Sequence, residues 1–162
     1  MTQSQIRPAP VRRSVSVKAD PQRSFTAFTS NMALWWPASH TIGGSQKPEV
    51  VLEGRVGGRW YERSPEGAEC EWGKVLVWDP PGRLVLAWQV NGLWKYDPTL
   101  ITEVEITFTA VGNGATRVDL EHRNLERMGE HATRVHDAVS AEGGWLGILK
   151  TFAGFADGAP AP

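Results

Sequence analysis

From about Glu49 to Arg123 the chain reads as an unbroken series of short alternating segments, and this run limits the possible folds more than any other feature. Across 101–110, Val104, Ile106 and Phe108 alternate with Glu103, Glu105 and Thr107, the period of a strand with one buried face. Gly112-Asn113-Gly114 closes a hairpin, and Val118, Leu120 and His122 answer against Arg117, Asp119, Glu121 and Arg123. Upstream, strands are expected over 50–52, 59–63, 69–78 and 83–90. Gly57-Gly58, Ser64-Pro65-Glu66-Gly67 and Asp79-Pro80-Pro81-Gly82 supply the turns between them. Residues 38–47 and 91–100 read as loops.

The flanks complete the pattern. Val11, Val15 and Val17 alternate with polar residues, which gives a first strand over 11–19. Asp20-Pro21 is an N-cap followed by proline at the first helical position. Phe25 and Phe28 then place a short amphipathic helix over 21–29, and a second is expected over 31–36, stopped by Pro37. After the strands, 130–141 is a polar helix and Gly143-Gly144 interrupts it. Trp145, Leu149, Phe152 and Ala156 then lay one apolar stripe along a final helix. No βαβ alternation occurs, so the expected fold is α+β: an antiparallel sheet of six to seven strands with a C-terminal helix packed on one face.

The 162-residue length suits one domain, expected over 11–156 between polar, proline-bearing tails at 1–10 and 157–162. A net charge of −1 with scattered signs gives no basic footprint for nucleic acid. No apolar run is long enough to span a membrane, and Met1 to Pro10 holds no signal-peptide core. The lone Cys70 cannot form an internal disulfide, so a cytoplasmic protein is expected. Cys70 shares parity with Trp72 and reads as a buried, inert thiol.

The order and spacing of several motifs identify a resemblance. The stretches are Pro21 to Phe28 with Trp35-Trp36-Pro37, Glu53-Gly54-Arg55-Val56-Gly57-Gly58-Arg59-Trp60, and Trp72-Gly73-Lys74-Val75. Trp78-Asp79-Pro80-Pro81-Gly82-Arg83-Leu84, Thr116 through Arg123, and Gly144-Trp145 complete the set. Together they resemble the Hsp90-ATPase-activator-homologue (AHSA1-like) branch of the START-like, Bet v 1-like (SRPBCC) superfamily, over roughly 11–156. The resemblance implies a helix-grip fold, a curved sheet wrapped on a long C-terminal helix with a hydrophobic cavity between them. It implies a small apolar or aromatic ligand, or a stress-response role as partner of an Hsp90-type chaperone, in a monomer or homodimer. A separate N-terminal domain like that of the eukaryotic co-chaperone is not expected, which favours the ligand.

Eight tryptophans decide which side chains would line such a cavity. Trp36, Trp60, Trp72, Trp88, Phe108, Trp145 and Leu149 are the expected lining, with Glu53 and His122 as its polar candidates. The same tryptophans would equally build a filled core. His122 follows Val118 and Leu120 on an inward parity, where it is a core histidine, a ligand-orienting donor or a general base. Glu53 is either a cavity-mouth carboxylate or a strand-end partner for Arg55 or Arg59. Adjacent helical residues point about 100° apart. Either one of Trp35 and Trp36 therefore lies at a cavity entrance or on an interaction surface, or both are buried between helix and sheet.

No cofactor fingerprint is present: the glycines at 54, 57 and 58 lack the phosphate-loop spacing. His131 and His136 stand five apart, where metal ligation from one helix face needs four, so no metal is expected. No nucleophile motif marks a catalytic serine. An enzyme of cyclase or hydrolase type is the least favoured of the three readings.

Overall fold

In the computed structural model, which describes residues 8–158, seven strands form one antiparallel sheet in the order β1-β7-β6-β5-β4-β3-β2. The strands are β1 (Val11–Val17), β2 (Glu49–Leu52), β3 (Arg59–Arg63), β4 (Glu69–Asp79), β5 (Arg83–Trp88), β6 (Thr102–Gly112) and β7 (Ala115–Arg123). The sheet runs as a meander from β2 to β7, and β1 closes it by pairing with β7 in the register Val11 opposite His122. Of the tails expected at 1–10 and 157–162, residues 1–7 and 159–162 lie outside the described residues.

Two short helices follow β1. In α1 (Pro21–Thr29) the Asp20 carboxylate accepts from the Arg23 N–H at 2.8 Å, the cap expected of Asp before Pro. The next helix, α2 (Met32–Trp35), ends one residue short of Trp36. Pro37 disfavours helical backbone at the residue before it, and Trp36 is extended at φ −60°, ψ 129°. The 100° spacing therefore does not apply, and Trp35 and Trp36 are both buried, neither of them an exposed surface aromatic.

Curvature comes from irregular pairings. Register shifts fall at Trp60/Tyr61, between Val75 and Val77, and between Ala110 and Gly112, and each such bulge bends the strand and adds twist. The sheet is thereby a curled half-barrel whose concave side takes the C-terminal helical segment. That segment is broken: a 3-10 turn (Leu125–His131), then α3 (Ala132–Ser140), a wide turn over Glu142–Leu146, and α4 (Gly147–Ala156).

At one end of the interface Phe25, Phe28, Trp35, Phe108 and Phe152 are buried with ring centroids 5.1–5.9 Å apart where they pair. At the other end the ring network contains Trp36, Trp60, Trp72, Trp88, His122 and Trp145. Trp35 and Trp36, 5.7 Å apart, join the two. The convex face carries charge. Arg123 bonds Glu103, Glu105 and Glu121, while Arg12 bonds Glu121.

Candidate ligand pocket

The two halves of this aromatic core differ in filling. The Phe half is packed. The Trp half opens into a pocket of about 510 Å³ between the end of the sheet, the loops after α2 and β5, and the break between α3 and α4. Trp36, Trp72, Trp88, Trp94 and Trp145 form its walls with Ile42, Val90, Val139 and Ile148. Ser39, His40 and Thr41 supply polar side chains, and no Asp, Glu, Lys or Arg among the described residues lines it.

Four wall indoles are held by their own N–H groups. Trp36 donates to the His40 carbonyl at 3.0 Å and Trp88 to the Val90 carbonyl at 3.0 Å. Trp72 donates to the Glu62 carboxylate at 2.8 Å, and the Ile42 N–H reaches the same oxygen at 2.6 Å. Trp145 donates to His122 Nδ1 at 3.1 Å. A buried indole N–H needs a partner; here each partner is protein, so these rings are fixed in place and offer the pocket their apolar faces. Trp60 is the exception, its N–H the one buried side-chain polar atom without a hydrogen bond among the described residues. Its ring stands edge-on to Trp36 and Trp72, at 87° and 72°.

His122 is anchored from both sides. An indole N–H only donates, so Nδ1 must accept from Trp145 and the ring proton sits on Nε2. Nε2 then donates to Thr102 Oγ1 at 2.8 Å, and that hydroxyl donates to the Trp88 carbonyl at 3.1 Å. The chain from Trp145 to Trp88 thus has one consistent proton arrangement, with a neutral imidazole. Complete burial lowers its pKa from 6.5 to about 3. Both ring nitrogens are committed, which is the arrangement of a core histidine.

The break in the C-terminal segment shapes the pocket's far wall. Gly144 lies at φ −85°, ψ −132°, outside helical space. A Cβ there would stand 2.3 Å from the Val139 carbonyl oxygen, so only glycine fits. The freed Gly143 carbonyl accepts from His40 Nε2 at 2.6 Å, tying the loop after α2 to the break.

Of the residues expected to line a cavity, Trp36, Trp72, Trp88 and Trp145 meet at this pocket. Trp60, His122 and Leu149 are fully buried and do not line it. Phe108 is buried at the other end, against Phe25 and Phe28. Glu53 is not at the pocket mouth: its carboxylate accepts from the Arg59 N–H at 2.8 Å and from Arg55 at 3.1 Å, closing the turn before β3. Cys70 is half-buried rather than buried. Burial, then the charges of Glu62 and Glu71, push its thiol pKa up, which keeps it protonated and poorly nucleophilic.

The sequence reading missed Trp94, His40 and Glu62. Trp94 and His40 lie in loops, where periodicity carries no information. Glu62 shares parity with Trp60, and a carboxylate on an inward parity was a signal available in the sequence. Among the described residues no group of three His, Cys, Asp or Glu could hold a metal ion. None of the described helices is long and apolar enough to cross a membrane.

With this geometry in hand, comparison places the chain among known proteins. The family described as "Activator of Hsp90 ATPase homolog 1-like protein" matches residues 18–156. Among solved structures, the self-sacrificing resistance protein CalC from Micromonospora echinospora is 38% identical, with TM-score 0.66, covering 94% of this chain and 96% of that one. The anthrahydroquino-γ-pyrone synthase Txn09 is also 38% identical, with TM-score 0.62, over 93% of this chain and 97% of its own. The Aha1 dimer from Colwellia psychrerythraea shares the fold at 16% identity and TM-score 0.62, over 94% of this chain and 98% of that one. Among curated proteins no sequence matches the chain.

Proposed function

The chain belongs to the Activator of Hsp90 ATPase homolog 1-like family, and from that premise we propose that it binds a small, uncharged, aromatic molecule in the tryptophan-walled pocket. The observation that carries this reading is the lining: five indoles, the polar side chains of Ser39, His40 and Thr41, and no Asp, Glu, Lys or Arg among the described residues. Ligand sites are mostly apolar with a few placed polar groups, at volumes of roughly 300–1,000 Å³, and 510 Å³ falls within that range. A charged ligand would be desolvated there without a counter-ion, which is costly. A planar aromatic ring would stack on the fixed faces of Trp36, Trp72, Trp88 and Trp145, and Ser39, His40 and Thr41 would meet its polar substituents. Trp60, His122 and Leu149 would act one layer behind, holding those walls. The name of the 38% identical synthase, which refers to an aromatic polycycle, supports the same ligand class.

Titration against intrinsic tryptophan fluorescence tests this, with 1,8-dihydroxyanthraquinone and xanthone set against dodecanoic acid and cholesterol. Saturable quenching by the planar aromatics is expected. A blocking variant localises it. Ala138 is exposed at the pocket mouth, so Ala138→Trp fills the opening and should weaken binding about tenfold or more, while surface substitutions of this kind change stability by only about 0.5 kcal/mol. Silence from both aromatics, or equal binding by Ala138→Trp, would sink the reading.

The family description favours one alternative, a chaperone partner. Stimulation of an Hsp90 ATPase by the Ala138→Trp variant, in the absence of any aromatic ligand, is the result that would establish it instead.

A further inference from the structure

Trp94 stands apart from the other seven tryptophans. Each of those makes at least one ring–ring contact among the described residues, whereas Trp94 makes none. It is 45% exposed, yet it lines the pocket. Its backbone sits in the left-handed region at φ 60°. The other non-glycine residues with positive φ are Asn113 and Asn124, and asparagine tolerates that region. A bulky aromatic there is an outlier, and such strain persists only where the surroundings enforce it.

The surroundings do so. Val90 and Tyr96 pair as an isolated bridge, and the Asn91 N–H donates to the Lys95 carbonyl at 2.8 Å. The Asn91 side-chain oxygen accepts from the N–H groups of Leu93 at 2.9 Å and Lys95 at 3.2 Å. The Trp94 N–H donates to the Asn91 carbonyl at 2.9 Å, completing a tight turn. That turn is fixed to the helical segment at Gly92, whose carbonyl accepts from Arg134. Gly92 packs so closely that a Cβ would stand 2.2 Å from that of His131. A strained turn is therefore pinned at its base and carries an unpartnered indole at the rim of a pocket whose other walls are indoles.

We propose that Trp94 is the closing wall of the pocket, a ligand-contact residue that stacks on the outer face of a bound planar aromatic molecule. This rests on the binding reading above. Its neighbours cannot serve: Leu93 and Tyr96 are exposed and do not line the pocket. The side chain contributes little to the unliganded fold and much to the complex, so its effects on stability and affinity should separate.

The test measures affinity for 1,8-dihydroxyanthraquinone and xanthone together with the melting temperature of the free protein, in wild type, Trp94→Ala and Trp94→Phe. Trp94→Gly, which suits the left-handed backbone, guards against misfolding of the alanine variant. Alanine and glycine should raise Kd about tenfold or more, as truncation of an aromatic anchor does, with the melting temperature within about 2 °C of wild type. Phenylalanine should hold Kd within a few-fold. In protein labelled with 5-fluorotryptophan, the resonance missing from Trp94→Phe should lose its H2O/D2O isotope shift when either compound is added. Unchanged affinity in both truncations, with wild type binding normally, overturns the role of Trp94 alone. A loss of affinity accompanied by a melting point several degrees lower in both truncations also overturns it. Absence of binding by wild type removes the binding reading and this one together.

Discussion

At the scale of one residue, His122 is a buried base without a buried counter-charge, and that fixes how it responds to acid. Its folded pKa, about 3, lies below the 6.5 of the unfolded chain. Between those values the unfolded state binds the extra proton, so stability is highest above pH 6.5 and falls as pH drops, by about 1.4 kcal/mol per pH unit. The carboxylates with lowered pKa, such as Glu105 beside Arg83, lose their contribution only below their ordinary values near 4.5. The window from pH 6.5 to 4.5 therefore separates His122 from those carboxylates. Urea unfolding across it should show a loss of roughly 2–3 kcal/mol in wild type, and His122→Gln should flatten that slope whatever its absolute stability. A wild-type slope equal to that of the glutamine variant would show that the imidazole is not buried neutral. Charging the ring would also set a second N–H against the Trp145 donor, so acid should loosen the pocket wall that Trp145 forms.

At the scale of elements, the break between α3 and α4 separates a structural glycine from a permissive one. Gly144→Ala drives a Cβ into the Val139 carbonyl oxygen at 2.3 Å, whereas a Cβ at Gly143 meets nothing within 4 Å. The first substitution should cost about 1–3 kcal/mol, the range for forcing an extra carbon into a packed site, and should displace the His40 contact that closes the pocket. Gly143→Ala should stay near wild type in thermal unfolding; equal effects at the two positions would contradict the geometry. Strand existence and order were legible because β1, β6 and β7 alternate between a buried and a more exposed face, and because turn residues bound β3 and β5, which are buried on both faces. Alternation failed at the bulges. Trp72, Leu76 and Trp78 share a parity, yet the register shifts on either side, at Trp60/Tyr61 and between Val75 and Val77, make Val75 the deeply buried side chain between Trp72 and Trp78. The pocket was legible where its lining lies on strands, as with Trp72 and Trp88, or in the motifs that carry the family resemblance, as with Trp36 and Trp145. Loop residues such as His40 and Trp94 are placed by tertiary hydrogen bonds that no local pattern records.

At the scale of the molecule, the aromatic core is divided into a packed end that holds the fold and a hollow end that is free to bind. Phe152 sits in the packed end, fully buried between Phe28 and Trp35 at centroid distances of 5.1 and 5.2 Å. Trp88 lines the hollow end and is only partly buried, with one face toward the pocket. Phe152→Ala should therefore cost about 3–5 kcal/mol, the range for deleting a buried aromatic from a packed core. Trp88→Ala removes a larger side chain but mostly enlarges space that already exists, so it should cost less stability and more affinity. The ligand's own effect follows the same division. At about 100 times Kd, a compound bound only by the folded state adds roughly 2.7 kcal/mol, or about 5–11 °C in a chain of this size. Thermal scans with 1,8-dihydroxyanthraquinone should show that shift in wild type, retain it in Phe152→Ala at a lower baseline, and lose it in Trp88→Ala. A shift that survives in Trp88→Ala and vanishes in Phe152→Ala would place binding at the packed end and invert the division. That outcome is physically disfavoured because a packed interior must first open to admit a ring, whereas the tryptophan end already holds the space and anchors its walls through their own N–H groups.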